Sequence, residues 1–220
     1  MLNRIIFAFI EDLIRNISGS FGRRIRSFYY QKRLGGCGKG IFIDIGVVIT
    51  DTKSVFLGNN VWLDNYVLIL SGPPTGNRKI YRKKNEKYLF KDGELHLSDN
   101  VHIAPFVVIQ SHGGVSIGPN SGVASGAKIY SFSNHYKDLN NPGDSGPFHF
   151  TPLAPLKNQA YILSPVVMEG NNAVGLNSVV LPGTTLSSGT WLGTGSFIQG
   201  SKIEGESIYS GDAAKFIKAK

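Results

Sequence analysis

Proton transfer at neutral pH falls first to histidine, whose unperturbed pKa of about 6.5 lets a neutral ring accept a proton. The chain carries five histidines: His96, His102, His112, His135 and His149. His135 stands in the run Ser133-Asn134-His135-Tyr136-Lys137-Asp138 and opens a segment with five prolines between Pro142 and Pro165. His112 lies 23 residues earlier, in Ile109-Gln110-Ser111-His112-Gly113-Gly114. For His96, His102 and His149 a solvated or packing role is the plain reading. Cys37 is the one cysteine, so there is no partner for a disulfide, a CxxC redox site or a zinc knuckle. That count fits a reducing cytoplasm.

Charge is the second source of chemistry. The formal balance is +8, and it is concentrated. Met1 to Gly40 holds eight basic residues against two acidic ones, and Ser71 to Leu95 holds seven against Glu86, Asp92 and Glu94. Such clusters suit nucleic acid, an anionic membrane surface or a phosphate-bearing ligand. No RNP-like sequence, recognition-helix signature or zinc finger accompanies them, so nucleic acid is not expected. The apolar run Ile5 to Ile10 is too short for a membrane span or a signal h-region, and Glu11-Asp12 follow it directly. Leu2, Ile6, Phe9, Ile10, Leu13 and Ile17 instead recur at helical spacing. An amphipathic helix of this kind suits a membrane interface, oligomer packing or the covering of an open β-core.

These groups need a scaffold. The length of 220 residues provides one domain with a real core, and 41% hydrophobic against 17% charged residues describes a folded chain. Glycine, at 27 residues, points to many tight corners in an all-β protein. From Met168 the chain divides into MEGNNA, VGLNSV, VLPGTT, LSSGTW, LGTGSF and IQGSKI, each opening on an aliphatic residue or Met. The fifth position is compact: Asn172, Ser178, Thr184, Thr190 and Ser196. The same phase runs from Leu57, from Leu97 and from Ile117. A period of six fits neither a helix nor a flat sheet. It fits short strands joined by corners, three to a coil, with the aliphatic residue inward and coils stacked at roughly the 4.8 Å of paired strands. This is a parallel β-helix. The expected organisation is a helical basic segment over 1–40, a β-helix over 41–210 interrupted by loops at 71–95 and 134–165, and a tail over 211–220.

Hexapeptide coils, then an extruded loop opening with a histidine, then coils containing Gly193-Thr194-Gly195-Ser196, then Gly211-Asp212-Ala213-Ala214-Lys215, together resemble the hexapeptide-repeat acyltransferases. Their sugar O-acetyltransferases are most similar, over about Phe56 to Lys215. The resemblance implies a left-handed β-helix, a homotrimer with its site in the groove between subunits, and transfer of acetyl from acetyl-CoA to a sugar hydroxyl of a polysaccharide or glycan precursor. It makes His135 the general base, with Asp138 or a backbone carbonyl holding its other ring nitrogen; Asn134 beside it, and His112 about one coil earlier, are the candidates to hold the acceptor, a surface-corner role being the plainer reading of His112. It carries Gly175, Leu176 and Thr194 to the pantetheine arm and Lys215, assisted by Lys202, to the coenzyme phosphates. The three-histidine zinc site of the related γ-class carbonic anhydrases is not matched, since His96 and His102 are six apart and precede the loop. No metal is therefore expected.

The chain also departs from the pattern. Ala213 replaces the usual proline, Ala173 the usual tryptophan and Gln199-Gly200 the usual Thr-Lys pair. Trp191, 18 residues after Ala173, stands one coil away in the same column and is the candidate to replace the missing ring. Two other readings stay open at this point: N-acetylation of a nucleotide-linked amino sugar, and a non-catalytic β-helical scaffold.

Overall fold

A computed structural model describes residues 2–140, 148–200, 202–213 and 215–219. The coil is a three-faced prism. Its faces are sheets of seven, eight and six strands, each built from strands that recur one coil apart in the chain. Within the coil every pairing is parallel, and the register stacks every third hexapeptide leader in one column: Leu57, Leu97, Ile117, Met168 and Leu186 lie side by side along the seven-stranded face, continued by Ile203, the last residue of IQGSKI. All the expected aliphatic leaders are buried, from Leu57 to Ile198. So are the compact fifth residues Asn172, Ser178, Thr184, Thr190 and Ser196. A branched chain at the first position fills the prism, and only a small one fits beside it near the corner. The result is the all-β, left-handed parallel β-helix.

The corners explain residues that periodicity leaves unassigned. Asn60, Asn100, Asn120 and Asn171 turn successive coils from the seven-stranded to the eight-stranded face with φ of 55°, 58°, 56° and 51°. Asparagine tolerates this left-handed conformation because its short amide bonds locally. Here the amides also bond to one another, Asn60 to Asn100 at 3.2 Å and Asn100 to Asn120 at 2.9 Å.

The N-terminal segment forms two helices, α1 (Leu2–Arg15) and α2 (Gly19–Gln31), where the periodicity predicted one. The first coil strand, Gly36–Cys37, begins a few residues before the expected boundary. Arg26 of α2 is 1% exposed, and its guanidinium donates to the carbonyls of Ile43 at 3.0 Å, Ile14 at 3.1 Å and Ile17 at 2.7 Å. It therefore ties the end of α1 to the first coil. Arg23 pairs with Asp44 through two nitrogens, at 2.5 and 3.0 Å, and Trp62 donates to the same carboxylate at 2.6 Å. The open end of the prism is closed by α2.

The two insertions are structured and joined. Lys79–Arg82 pairs in parallel with Ala160–Leu163, which pairs antiparallel with Phe132–Asn134. Two loops expected to project separately thus form one three-stranded sheet. It stands at the corner between the six- and seven-stranded faces, and Asn85 fastens it to the coil by donating to Thr185 Oγ1 at 2.9 Å. Residues 141–147 of the second insertion lie outside the described residues. At the other end the strand Lys215–Ala219 reverses direction and pairs antiparallel with Ser207–Ser210.

Candidate active site

His135 follows directly on the strand Phe132–Asn134, and its backbone N–H donates to Ala160 at 2.9 Å. The half-buried ring lies edge-on to Tyr81 at 6.4 Å and beside Tyr136 at 5.3 Å. Neither ring nitrogen has a hydrogen-bond partner among the described residues. Among the described residues the ring is thus held by packing. Asn134 is half-buried next to it, opposite Tyr161 in the loop sheet.

Asp138 has a different role from the one expected. Its carboxylate is taken by Lys79 Nζ at 2.6 Å and the Tyr81 hydroxyl at 2.6 Å, and it accepts from the Asn140 backbone at 2.9 Å. Those bonds, the Lys79 one first, hold the Asp138 carboxyl well below the usual carboxylate range. The Tyr81 hydroxyl in turn accepts from the Leu139 N–H at 3.0 Å. Asp138 thus fastens the histidine-bearing loop to the first insertion. Lys79 and Tyr81 escaped sequence reasoning because their partner is distant in the chain; their only signal was the alternation in Lys79-Ile80-Tyr81-Arg82.

His112 comes close to the same elements. Its ring packs edge-on against Phe132 at 5.8 Å, and Phe132 in turn meets Tyr161 at 4.3 Å. Nδ1 lies 2.8 Å from the Gly72 carbonyl. A carbonyl only accepts, so Nδ1 is the donor in this bond, which in a neutral ring leaves Nε2 as the acceptor.

The expected cofactor residues divide. Gly175, Leu176 and Thr194 line one groove of about 510 Å³ on the eight-stranded face, together with Gly122, Ala173 and Trp191. Trp191 is the register neighbour of Ala173 and 49% exposed, as its spacing implied. Gly175 has to be glycine: a Cβ there would meet the Gly193 carbonyl carbon and the Thr194 nitrogen at 2.6 Å. Lys215 is exposed on the reversed strand of the same sheet. Lys202 is not with them. It pairs with Thr185 on the seven-stranded face, because the chain has already passed another corner by that residue.

The groove and the histidine-bearing loop lie on opposite sides of the prism, since the loop leaves at the corner facing away from the eight-stranded face. The arrangement offers one surface for an elongated ligand and another with two imidazoles. Among the described residues no group of histidines, cysteines and carboxylates is arranged to hold a metal.

No family model matches the chain. Over 129 residues it is 31% identical to the putative lipopolysaccharide biosynthesis O-acetyl transferase WbbJ of Escherichia coli K12, covering 59% of this chain and 62% of that protein. Over 147 residues it is 25% identical to the dTDP-4-amino-4,6-dideoxy-D-glucose acyltransferase of Escherichia coli, covering 66% and 62%. The chain thus spans about three fifths of the length of these curated relatives. In structure it resembles AntD, an N-acyltransferase from Bacillus cereus solved with dTDP and coenzyme A, with a TM-score of 0.68 and 17% identity over 89% of each chain. In its coil, its extruded loop and these likenesses the chain resembles the hexapeptide-repeat, left-handed β-helix acyltransferases.

Proposed function

We propose that the chain is an acetyl-CoA-dependent O-acetyltransferase acting on a sugar hydroxyl of a surface polysaccharide or glycan precursor. The observation that carries it is His135, packed at the mouth of the extruded loop with no hydrogen-bond partner for either ring nitrogen among the described residues. His135 takes the proton of the acceptor hydroxyl, whose oxygen attacks the thioester carbonyl. A C–O bond forms, the C–S bond breaks, and the departing coenzyme thiolate recovers the proton. Asn134 and His112 orient the acceptor. The groove fits the coenzyme: small residues at Gly122, Ala173 and Gly175 leave room for a narrow arm, and Trp191 gives it an apolar wall. Because loop and groove face apart in one chain, a homotrimer completes each site, with one protomer's loop over its partner's groove.

A second reading makes His112 the base, favoured by the bond of Nδ1 to the Gly72 carbonyl, which turns Nε2 into the acceptor of the neutral ring. The likenesses to the amino-sugar acyltransferase and to AntD favour a third, N-acylation of a nucleotide-linked amino sugar. Coenzyme release from acetyl-CoA, followed with neutral sugars and with nucleotide-linked amino sugars, separates them. His135→Ala should lower transfer to a hydroxyl by roughly 10² to 10⁴ with an unchanged melting temperature. A full rate in that variant, or a larger loss in His112→Ala, would remove His135 from the role.

The N-terminal helices suit docking at the cytoplasmic face of an anionic membrane. No helix among the described residues is long and apolar enough to cross one. Instead α1 exposes Ile6, Phe9 and Leu13, and α2 exposes Phe21 and Phe28 with Arg24 and Lys32 beside them. Apolar side chains that enter the headgroup layer, flanked by cations worth about 1 kcal/mol each, are what such a surface selects.

A further inference from the structure

A second cavity, of about 290 Å³, lies at the corner between the six- and seven-stranded faces, beneath the loop sheet. Its polar lining comes from both insertions and the coil: Lys83 and Lys84 from the first, Ser133 and Ser164 from the second, with Gly183 and Gly200 at successive corners. None of the residues that line it is acidic. Lys83 and Lys84 are exposed and make no ion pair among the described residues. Ser164 is the telling member. It lines the cavity at 3% exposure, and its hydroxyl makes no hydrogen bond among the described residues although the oxygen is not cut off from solvent. The group lies over Gly183, where even a Cβ would come within 3.0 Å of its oxygen.

A hydroxyl that borders a cavity and is not engaged by the protein is free to donate to whatever occupies it. Two lysines that border one cavity with no carboxylate in its lining give it an uncompensated positive potential that favours an anion. Both features point to the same occupant. We infer that this cavity binds a phosphate or diphosphate group, with Lys83 and Lys84 as its charge partners and Ser164 as a buried donor. Ser133 places it in the molecule: it lines the cavity two residues before His135, on the strand that carries that histidine. The anion therefore belongs to a substrate that reaches the histidine-bearing corner. Resting on the proposed transfer reaction, this narrows the acceptor to a phosphate-linked sugar rather than a finished neutral polymer. Coenzyme A also carries phosphates, and the experiment distinguishes the two sources.

Titration calorimetry of the intact protein with inorganic pyrophosphate, dTDP, coenzyme A and 3′-dephospho-coenzyme A tests this. The Lys83→Ala/Lys84→Ala variant should bind pyrophosphate at least tenfold more weakly than wild type, and Ser164→Ala severalfold more weakly. Wild-type binding should itself weaken as potassium chloride is raised. A loss confined to dTDP assigns the cavity to the acceptor, and a loss confined to coenzyme A assigns it to the coenzyme and removes the narrowing of the acceptor. Unchanged pyrophosphate binding in both variants, with melting temperatures equal to wild type, overturns the site. Pyrophosphate binding is measured without transfer, so an inactive protein that binds it in a Lys83- and Lys84-dependent way would sink the proposed reaction and leave the cavity standing.

Discussion

Replacing Arg26 by methionine keeps most of the side chain's volume and removes its donors. Three of its hydrogen bonds are 3.1 Å or shorter, to Ile43, Ile14 and Ile17. Bonds from a charged donor contribute roughly 1.5–3 kcal/mol each, so together they are worth about 4.5–9 kcal/mol. Against this stands the several kcal/mol needed to strip water from a guanidinium that is 1% exposed. About 3 kcal/mol remains, including the loss of a cation at the carbonyl end of α1. For a chain of this size each kcal/mol shifts the melting temperature by about 2–4 °C, giving a fall of about 6–12 °C in Arg26→Met. The melt is followed by circular dichroism at the helix band, where loss of α1 and α2 is seen apart from the coil. Arg26→Lys, with a compact ammonium in place of a fork, should recover less than half of the loss. A melting temperature within about 2 °C of wild type in Arg26→Met would refute the argument that this residue staples helices to coil.

The remaining predictions concern the loop and the helices. Because the Asp138 pKa lies lower folded than unfolded, its contribution is fully present above about pH 3.9 and is lost as pH falls through the folded value. Limited proteolysis should therefore find the 134–165 loop protected in wild type down to about pH 4 and cut more readily in Asp138→Asn at neutral pH; equal cutting at pH 7 would remove Asp138 as the anchor. In flotation, wild type should rise with phosphatidylserine-containing vesicles and less with phosphatidylcholine alone, while Phe9→Asp/Phe28→Asp should stay below. Equal flotation of that variant would mean that the outer faces of α1 and α2 meet something other than lipid.

How far the sequence could be read depends on what repeats. The column from Leu57 to Ile203 was legible because each coil imposes the same requirement on its inward residue, so one period carries many measurements of a single fact. The corner asparagines were invisible to that period, since an αL turn accepts Asn, Gly or, at Tyr66 and Phe106, an aromatic residue. The joining of the insertions was hidden for another reason. Lys79–Arg82 and Ala160–Leu163 are four residues each and nearly eighty apart, too short for alternation to declare a strand and too distant to suggest a partner. His135 stood out as a candidate by its place at the start of the break. Asp138 was found too, but with the wrong partner, because chain proximity said nothing of the lysine and tyrosine that an insertion would bring. Lys202 was misplaced by counting toward the groove across one corner too few. Arg26 passed as one of eight basic residues, and only its burial shows that it belongs to the framework.

The reversed strand Lys215–Ala219 governs how such a prism can grow. A stack of identical storeys has no intrinsic height, because its last storey offers the same template that every storey below it has used. A parallel edge invites the next parallel strand, from the same chain or from another molecule. By laying the last strand backwards against Ser207–Ser210, the chain presents an edge of the wrong polarity and ends the pattern with an exposed, lysine-bearing strand. At the other end α2 roofs the first storey with Arg23 and Arg26. On the eight-stranded face, fibre-like addition of a further parallel strand is thereby discouraged, while α2 covers the first storey at the other end.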